Sequence, residues 1–107
     1  MLVKNEITLS VLIPCYNWDI YKLVNTTYNL CVKCDKIHKF EIICIEDGSE
    51  NCFKNHRISQ LQNVTYLKRK VNIGRSQIRN MMAKKANYKW LLFMDCDSEI
   101  QDSNFIK

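Results

Sequence analysis

Glycine and proline are scarce in this chain: two glycines and one proline in 107 residues. Two glycines cannot build a G-x-G-x-x-G turn or a Walker loop, so a glycine-rich phosphate cradle is excluded as the organising device of any nucleotide site. Long apolar runs are also missing, and no window approaches the roughly 20 apolar residues of a membrane span. The apolar stretch from Leu9 to Pro14 is too short for a secretory signal and breaks at the proline. No repeat or low-complexity tract interrupts the chain, so one small domain over residues 1–107 is expected.

What is present is a balanced, foldable composition, 47% apolar and 25% charged. Six cysteines without an export signal predict reduced thiols and a cytoplasmic protein. Cys31 and Cys34, with Cys52 and His56, offer four zinc ligands by type. The second predicted strand separates the two pairs by about 20 Å, at ~3.3 Å per residue. Hydrophobic helix packing is the plainer reading of Cys31 and Cys34. Sixteen Lys and Arg against 11 Asp and Glu leave a net charge of +5, which mildly favours polyanionic partners and is compatible with peripheral association at a membrane. The densest basic run, Lys68-Arg69-Lys70, lacks interleaved aromatics and reads as a solvated strand end, so no nucleic-acid partner is expected.

Hydrophobic patterning alternates strand with helix. Leu9–Ile13 reads as a buried strand, followed by a helix that Asn17 can cap and whose Ile20, Leu23, Val24, Thr27, Cys31 and Cys34 share one face. Phe40–Ile45 reads as a second strand, and a weaker helix is expected over residues 50–61. Val64–Leu67, shorter and more polar, predicts an edge strand. A helix over residues 75–86 and a fourth strand over residues 90–94 follow, with a last helix opening near Phe105 and Ile106 behind Ser103. This order predicts an α/β sandwich around a mainly parallel sheet of about four strands. Right-handed crossovers place every strand's C-terminal end on one edge, where such sheets bind ligands. Three polar clusters follow strands and so share that edge: Pro14-Cys15-Tyr16-Asn17, Glu46-Asp47-Gly48-Ser49 and Asp95-Cys96-Asp97.

Residue types within the clusters suggest chemistry. In an extended segment Asp95 and Asp97 point the same way with Cys96 turned away. Two carboxylates that close repel unless a cation or proton lies between them. Mg²⁺ typically takes one or two carboxylates plus phosphate oxygens, so the pair suggests a metal–diphosphate site. The plain alternative is two aspartates opening a loop. Asp47 can accept hydrogen bonds from a base or ribose, or simply hold a turn beside Gly48. Tyr16 can lie against a nucleobase, and Arg75 or Arg79 can reach phosphates.

Taken together, Val11-Leu12-Ile13-Pro14-Cys15-Tyr16-Asn17, Ile45-Glu46-Asp47-Gly48-Ser49, Asn72-Ile73-Gly74 with Arg79-Asn80, and Phe93-Met94-Asp95-Cys96-Asp97 resemble the ordered signatures of family 2 glycosyltransferases. The resemblance implies a Rossmann-like GT-A fold and a metal-dependent, inverting transfer of a hexosyl group from a nucleotide-diphospho-sugar to an acceptor hydroxyl. By the same resemblance Pro14, Tyr16, Asn17, Glu46, Asp47, Arg79 and Asp95 belong to the donor site. Glu46 stands where an aspartate is commoner. Asp95 and Asp97 would hold a divalent cation, Mg²⁺ or Mn²⁺, and the donor would most often be a UDP-sugar. The acceptor, a saccharide or a lipid-linked group, and the general base belong to the half that follows the D-x-D motif in the family. Only ten residues follow Asp97 here, so no catalytic residue is assigned and the chain is expected to represent the donor-binding half, truncated after D-x-D.

Two other readings have specific requirements. A receiver-like signalling domain shares the α/β architecture but wants an acidic pair after the first strand, where Pro14-Cys15-Tyr16 stands. A non-catalytic remnant or binding module of the same fold would carry the same motifs without turnover.

Overall fold

The computed structural model describes residues 7–97; the last expected helix, with Phe105, Ile106 and Ser103, lies outside the described residues. Four parallel strands are found, β1 (Ile7–Cys15), β2 (Ile37–Asp47), β3 (Val64–Arg69) and β4 (Trp90–Phe93), in the order β3-β2-β1-β4. Helix α1 (Tyr21–Lys33) connects β1 to β2, and α2 (Arg75–Lys85) connects β3 to β4. The α/β class, the parallel sheet and the edge position of β3 are as the sequence predicts. The strand order reverses between β1 and β4, because the chain builds β1, β2 and β3 outward and then crosses back.

The two faces of the sheet carry separate cores. On one, Leu9, Val11, Ile13 and Cys15 of β1 pack with Leu23, Val24 and Cys31 of α1. On the other, Leu12, Ile43 and Ile45 meet Ile78 and Met82 of α2. The period of two in β1 and of three and four in the helices produces this division directly. Burial of each large aliphatic side chain stabilises by roughly 1.5–3 kcal/mol. One polar network sits at the far end of the sheet. Ser10 Oγ donates to Glu41 Oε2 at 2.6 Å, and Asn87 binds the same carboxylate through N (2.7 Å) and Nδ2 (2.9 Å). It ties the segment after α2 to the sheet and so fixes where β4 begins.

Three local expectations are corrected. Asn17 does not cap α1; the helix starts at Tyr21, whose N–H is taken by Asp19 Oδ1 at 3.0 Å. The helix expected over residues 50–61 is a short 3₁₀ turn, Asn55–Gln60, whose buried residues are Asn55 and Ile58. Asn55 explains the shortening: its side chain binds Ile20 N, Trp18 O and Glu46 Oε2, anchoring the segment by polar contacts rather than an apolar stripe. The run Lys68-Arg69-Lys70 is not solvated throughout, since Arg69 is half-buried with Nη1 3.9 Å from Met81 Sδ.

Pro14 sets up the functional edge. Met94 N donates to Leu12 O at 3.0 Å, so the even residues of β1 turn their backbone groups toward β4. Position 14 would make the next bond on that side, and proline has no N–H to give. The ladder between β1 and β4 therefore ends at Leu12–Phe93, while β1 stays paired with β2 as far as Cys15–Glu46. The two strands part at the point where the strand order reverses.

Candidate functional site

A hollow of about 380 Å³ opens in that gap. The end of β1 and the loop after it supply Pro14, Cys15, Tyr16 and Trp18; β2 supplies Asp47; the turn after β4 supplies Asp95, Cys96 and Asp97. Asn72, Gly74, Arg75 and Ile78 complete the wall from the start of α2. Tyr16 and Trp18 are half-exposed aromatic faces at the mouth.

Asp47 holds the α2 side in place. Its Oδ1 accepts from Ile73 N at 2.9 Å and its Oδ2 from Gly74 N at 3.1 Å, while its own carbonyl accepts from Asn72 Nδ2 at 2.9 Å. Each carboxylate oxygen keeps further lone-pair capacity facing the hollow. Gly48 makes the close approach possible: a Cβ there would lie 2.4 Å from Asn72 N, and its φ is +75°.

Asp95 Oδ1 accepts from Arg75 Nη2 at 2.9 Å. With the side chains 71% and 54% exposed, this ion pair adds little stability and Arg75 can exchange for another cation. Asp97 is exposed on the same turn. Among the described residues no group of three or more His, Cys, Asp or Glu is arranged to hold a metal. Two hard carboxylates at the rim of an open hollow nevertheless fit the partial donor set that Mg²⁺ or Mn²⁺ uses when phosphate oxygens complete its shell.

Cys15 and Cys96 meet at the floor. Their hydrogen bond holds the Cys96 thiol down to about 6, against the opposing effect of burial. The Cys15 thiol is pushed well up by the same bond, by burial and by the nearby Glu46.

These features, four motifs spaced along parallel strands and converging on one switch-point hollow, accompany a match to the Glycosyl transferase family 2 model over residues 10–107. The chain belongs to glycosyl transferase family 2. Its structure is similar to that of S. aureus TarS residues 1–349 in complex with UDP, at 25% identity and a TM-score of 0.69, over 85% of this chain and 28% of that one. The same TarS fragment without that ligand in its description gives 25% identity and a TM-score of 0.63 over the same shares. The longer TarS chain gives 23% identity and a TM-score of 0.64, with 17% of its length covered. The chain thus spans less than a third of the TarS chains it resembles. No curated protein matches it.

Of the family positions named from sequence, the hollow brings together Pro14, Tyr16, Asp47, Asp95 and Asp97. Three others sit elsewhere. Asn17 lies behind the loop, where its Oδ1 accepts from Glu50 N (2.8 Å) and Asn51 N (3.0 Å) and its own N–H donates to Ser49 Oγ (2.9 Å). Glu46 is 1% exposed and lies beneath the hollow, accepting from Ser49 Oγ, Asn55 Nδ2 and Tyr66 Oη at 2.6, 2.9 and 2.6 Å. Burial and this carboxylate together raise the Tyr66 hydroxyl far above its usual range. The Arg79 guanidinium lies 4.3 Å over the Phe93 ring, away from the hollow. Arg75, one turn earlier, is the arginine that lines it.

Sequence reasoning missed Trp18, and Asn72, named within the Asn72-Ile73-Gly74 motif, was given no place in the site. The signal for Trp18 was a large aromatic directly after the Pro-x-Tyr-Asn cluster, in a loop with no core to enter. Cys96, expected to turn away, lines the hollow because residues 95–97 form a turn in which strand alternation no longer applies.

Proposed function

We propose that this chain forms the donor site of a glycosyltransferase that transfers a hexosyl group from a nucleoside-diphospho-sugar, most often a UDP-sugar, to an acceptor hydroxyl with inversion. The observation that carries this reading is the convergence of Asp47, Asp95 and Asp97 with Tyr16 on one hollow at the sheet's switch point. The UDP in the TarS fragment supports the choice of base.

Tyr16 and Trp18 would hold the base and ribose at the mouth. Asp47 would accept from the base while keeping the loop of residues 72–74 in position. Asp95 and Asp97 would hold a divalent ion with the diphosphate, Asp97 as direct ligand and Asp95 nearer the ribose or a metal-bound water. The ion supplies charge neutralisation for the departing nucleoside diphosphate. Arg75, released from Asp95, would turn its guanidinium to a phosphate oxygen. The acceptor, saccharide or lipid-linked, and the general base would lie outside this donor site. Among the described residues no helix is long and apolar enough to cross a membrane. The free thiols of all six cysteines fit work in the cytoplasm, and the basic balance fits a peripheral approach to a membrane-borne acceptor.

Calorimetry with UDP and GDP, with and without Mn²⁺, tests the reading. Metal-dependent UDP binding that disappears in Asp97→Ala is the expected result. Absence of binding to either nucleotide would favour a non-catalytic module of the same fold.

A further inference from the structure

The floor of the hollow carries two thiols that the donor reading does not use. Leu12 stands opposite Phe93 as the last pair of the parallel ladder, and three residues further along each chain Cys15 and Cys96 line the same hollow.

The side chains share one face of the sheet: Cys15 lies in the core cluster on the α1 side, and Cys96 packs against that same cluster. Each thiol is the largest single influence on the other's ionisation, as close neighbours are. Cys15 Sγ has further polar neighbours, 3.3 Å from Trp18 O and 4.0 Å from Asn55 Nδ2. Access is unequal: Cys15 is 1% exposed, whereas Cys96 is only partly buried and opens on the hollow. A small oxidant can therefore reach Cys96 first, with Cys15 waiting behind it.

We propose that Cys15 and Cys96 form an oxidisable dithiol under the hollow, closed to a disulfide by a small peroxide. The Cys96 sulfur attacks one peroxide oxygen and releases water (an alcohol from an organic peroxide), leaving a sulfenic acid. The Cys15 sulfur then attacks the Cys96 sulfur, the S–S bond forms, and hydroxide leaves with the Cys15 proton as water. The peroxide is reduced by two electrons and the two thiols are oxidised by two. A dithiol reductant reverses the bond and recovers both thiols.

The bond has a consequence for the site above it. The turn that carries Asp95 and Asp97 becomes fastened to the end of β1 that carries Tyr16, across the gap that the missing N–H of Pro14 leaves open. The hollow then loses its freedom to adjust around a diphosphate. This consequence rests on the donor reading; the dithiol does not.

Peptide mapping of the full chain decides it. The reduced protein is treated with one equivalent of hydrogen peroxide, blocked with N-ethylmaleimide and digested without reductant. The expected result is a dominant linked peptide pair containing Cys15 and Cys96, two hydrogens lighter than the separate peptides and split by dithiothreitol. Cys15→Ser and Cys96→Ser should each abolish it, and the wild-type map stands by itself if either variant fails to fold. Both thiols recovered alkylated after the methionines have become sulfoxides would overturn the proposal, as would Cys96 linked mainly to Cys44 or Cys52. UDP titration of the oxidised protein should be weaker by roughly tenfold or more and recover on reduction. Equal affinity in both forms would overturn the consequence for the site. No UDP binding by the reduced protein would strike the donor reading and leave the map to judge the dithiol.

Discussion

Asp47 holds Ile73 N at 2.9 Å on one oxygen and Gly74 N at 3.1 Å on the other. A single carboxylate at the end of β2 thus satisfies backbone donors at the threshold of α2, which has no side-chain N-cap of its own. Hydrogen bonds to a charged group contribute about 1.5–3 kcal/mol each. Asp47→Asn keeps one acceptor and is expected to lose about one such bond; Asp47→Ala loses both. Urea denaturation should order the stabilities wild type, Asp47→Asn, Asp47→Ala. Equal midpoints for all three would remove Asp47 from any structural role and leave it a ligand contact alone.

The two glycines of the chain separate two kinds of constraint. Gly48 combines φ +75° with a Cβ position 2.4 Å from Asn72 N, whereas Gly74 combines φ +91° with open space. Gly74→Ala should cost only the strain of its own backbone, φ +91° with ψ 161°, a region open essentially to glycine alone, roughly 1–3 kcal/mol. Gly48→Ala must also push the loop of residues 71–72 away from Asp47, and its melting temperature should fall further. The ranking is checked by thermal unfolding of both variants side by side. Gly74→Ala as the worse of the two would refute the close-approach argument.

Those glycines also mark where sequence reading worked and where it stopped. Strands, parallel order and the clustering of Asp47 with Asp95 and Asp97 were legible because apolar periodicity and right-handed crossovers are backbone properties that short windows express. Glu46 was misleading for the opposite reason. Its neighbour Asp47 faces the hollow, so alternation turns Glu46 to the other face, where Asn55 and Tyr66 enclose it. Neither partner is near Glu46 in sequence. Arg79 and Arg75 differ by one helical turn, and only the position of Phe93 shows which of them is drawn off to a ring. The 3₁₀ turn of residues 55–60 was overpredicted because Asn55 carries its weight through polar contacts, which periodicity does not register.

Trp18 offers a direct optical test of the site. The chain has two tryptophans, Trp18 at the mouth of the hollow and Trp90 on β4. A nucleobase stacking on an aromatic ring contributes about 1–3 kcal/mol. UDP should quench intrinsic fluorescence in Trp90→Phe and leave Trp18→Phe unchanged, and Trp18→Ala should weaken binding by an amount in that range. Quenching that survives in Trp18→Phe would place the base away from the aromatic mouth.

Alkaline pH should expose the buried thiol of α1. Burial, with a smaller contribution from the charge of Cys34, raises Cys31 from 9.0 to about 12. In the unfolded chain the thiol releases its proton near pH 9; in the folded chain it keeps that proton until about pH 12. Folding then holds a proton that the unfolded state has already shed, so stability is intact below pH 9 and declines as pH rises toward 12. One group changes the free energy by at most about 1.4 kcal/mol per pH unit within that window. Cys44 and Tyr66, also raised by burial, add slopes of the same sign. Cys31→Ala removes one contribution, so its unfolding free energy should fall less steeply than that of wild type between pH 9 and 11, whatever the offset from the lost sulfur at pH 7. Urea titrations across that range under dithiothreitol measure both slopes. Parallel curves would mean that Cys31 ionises as readily folded as unfolded, and the core face of α1 would have to be open to water.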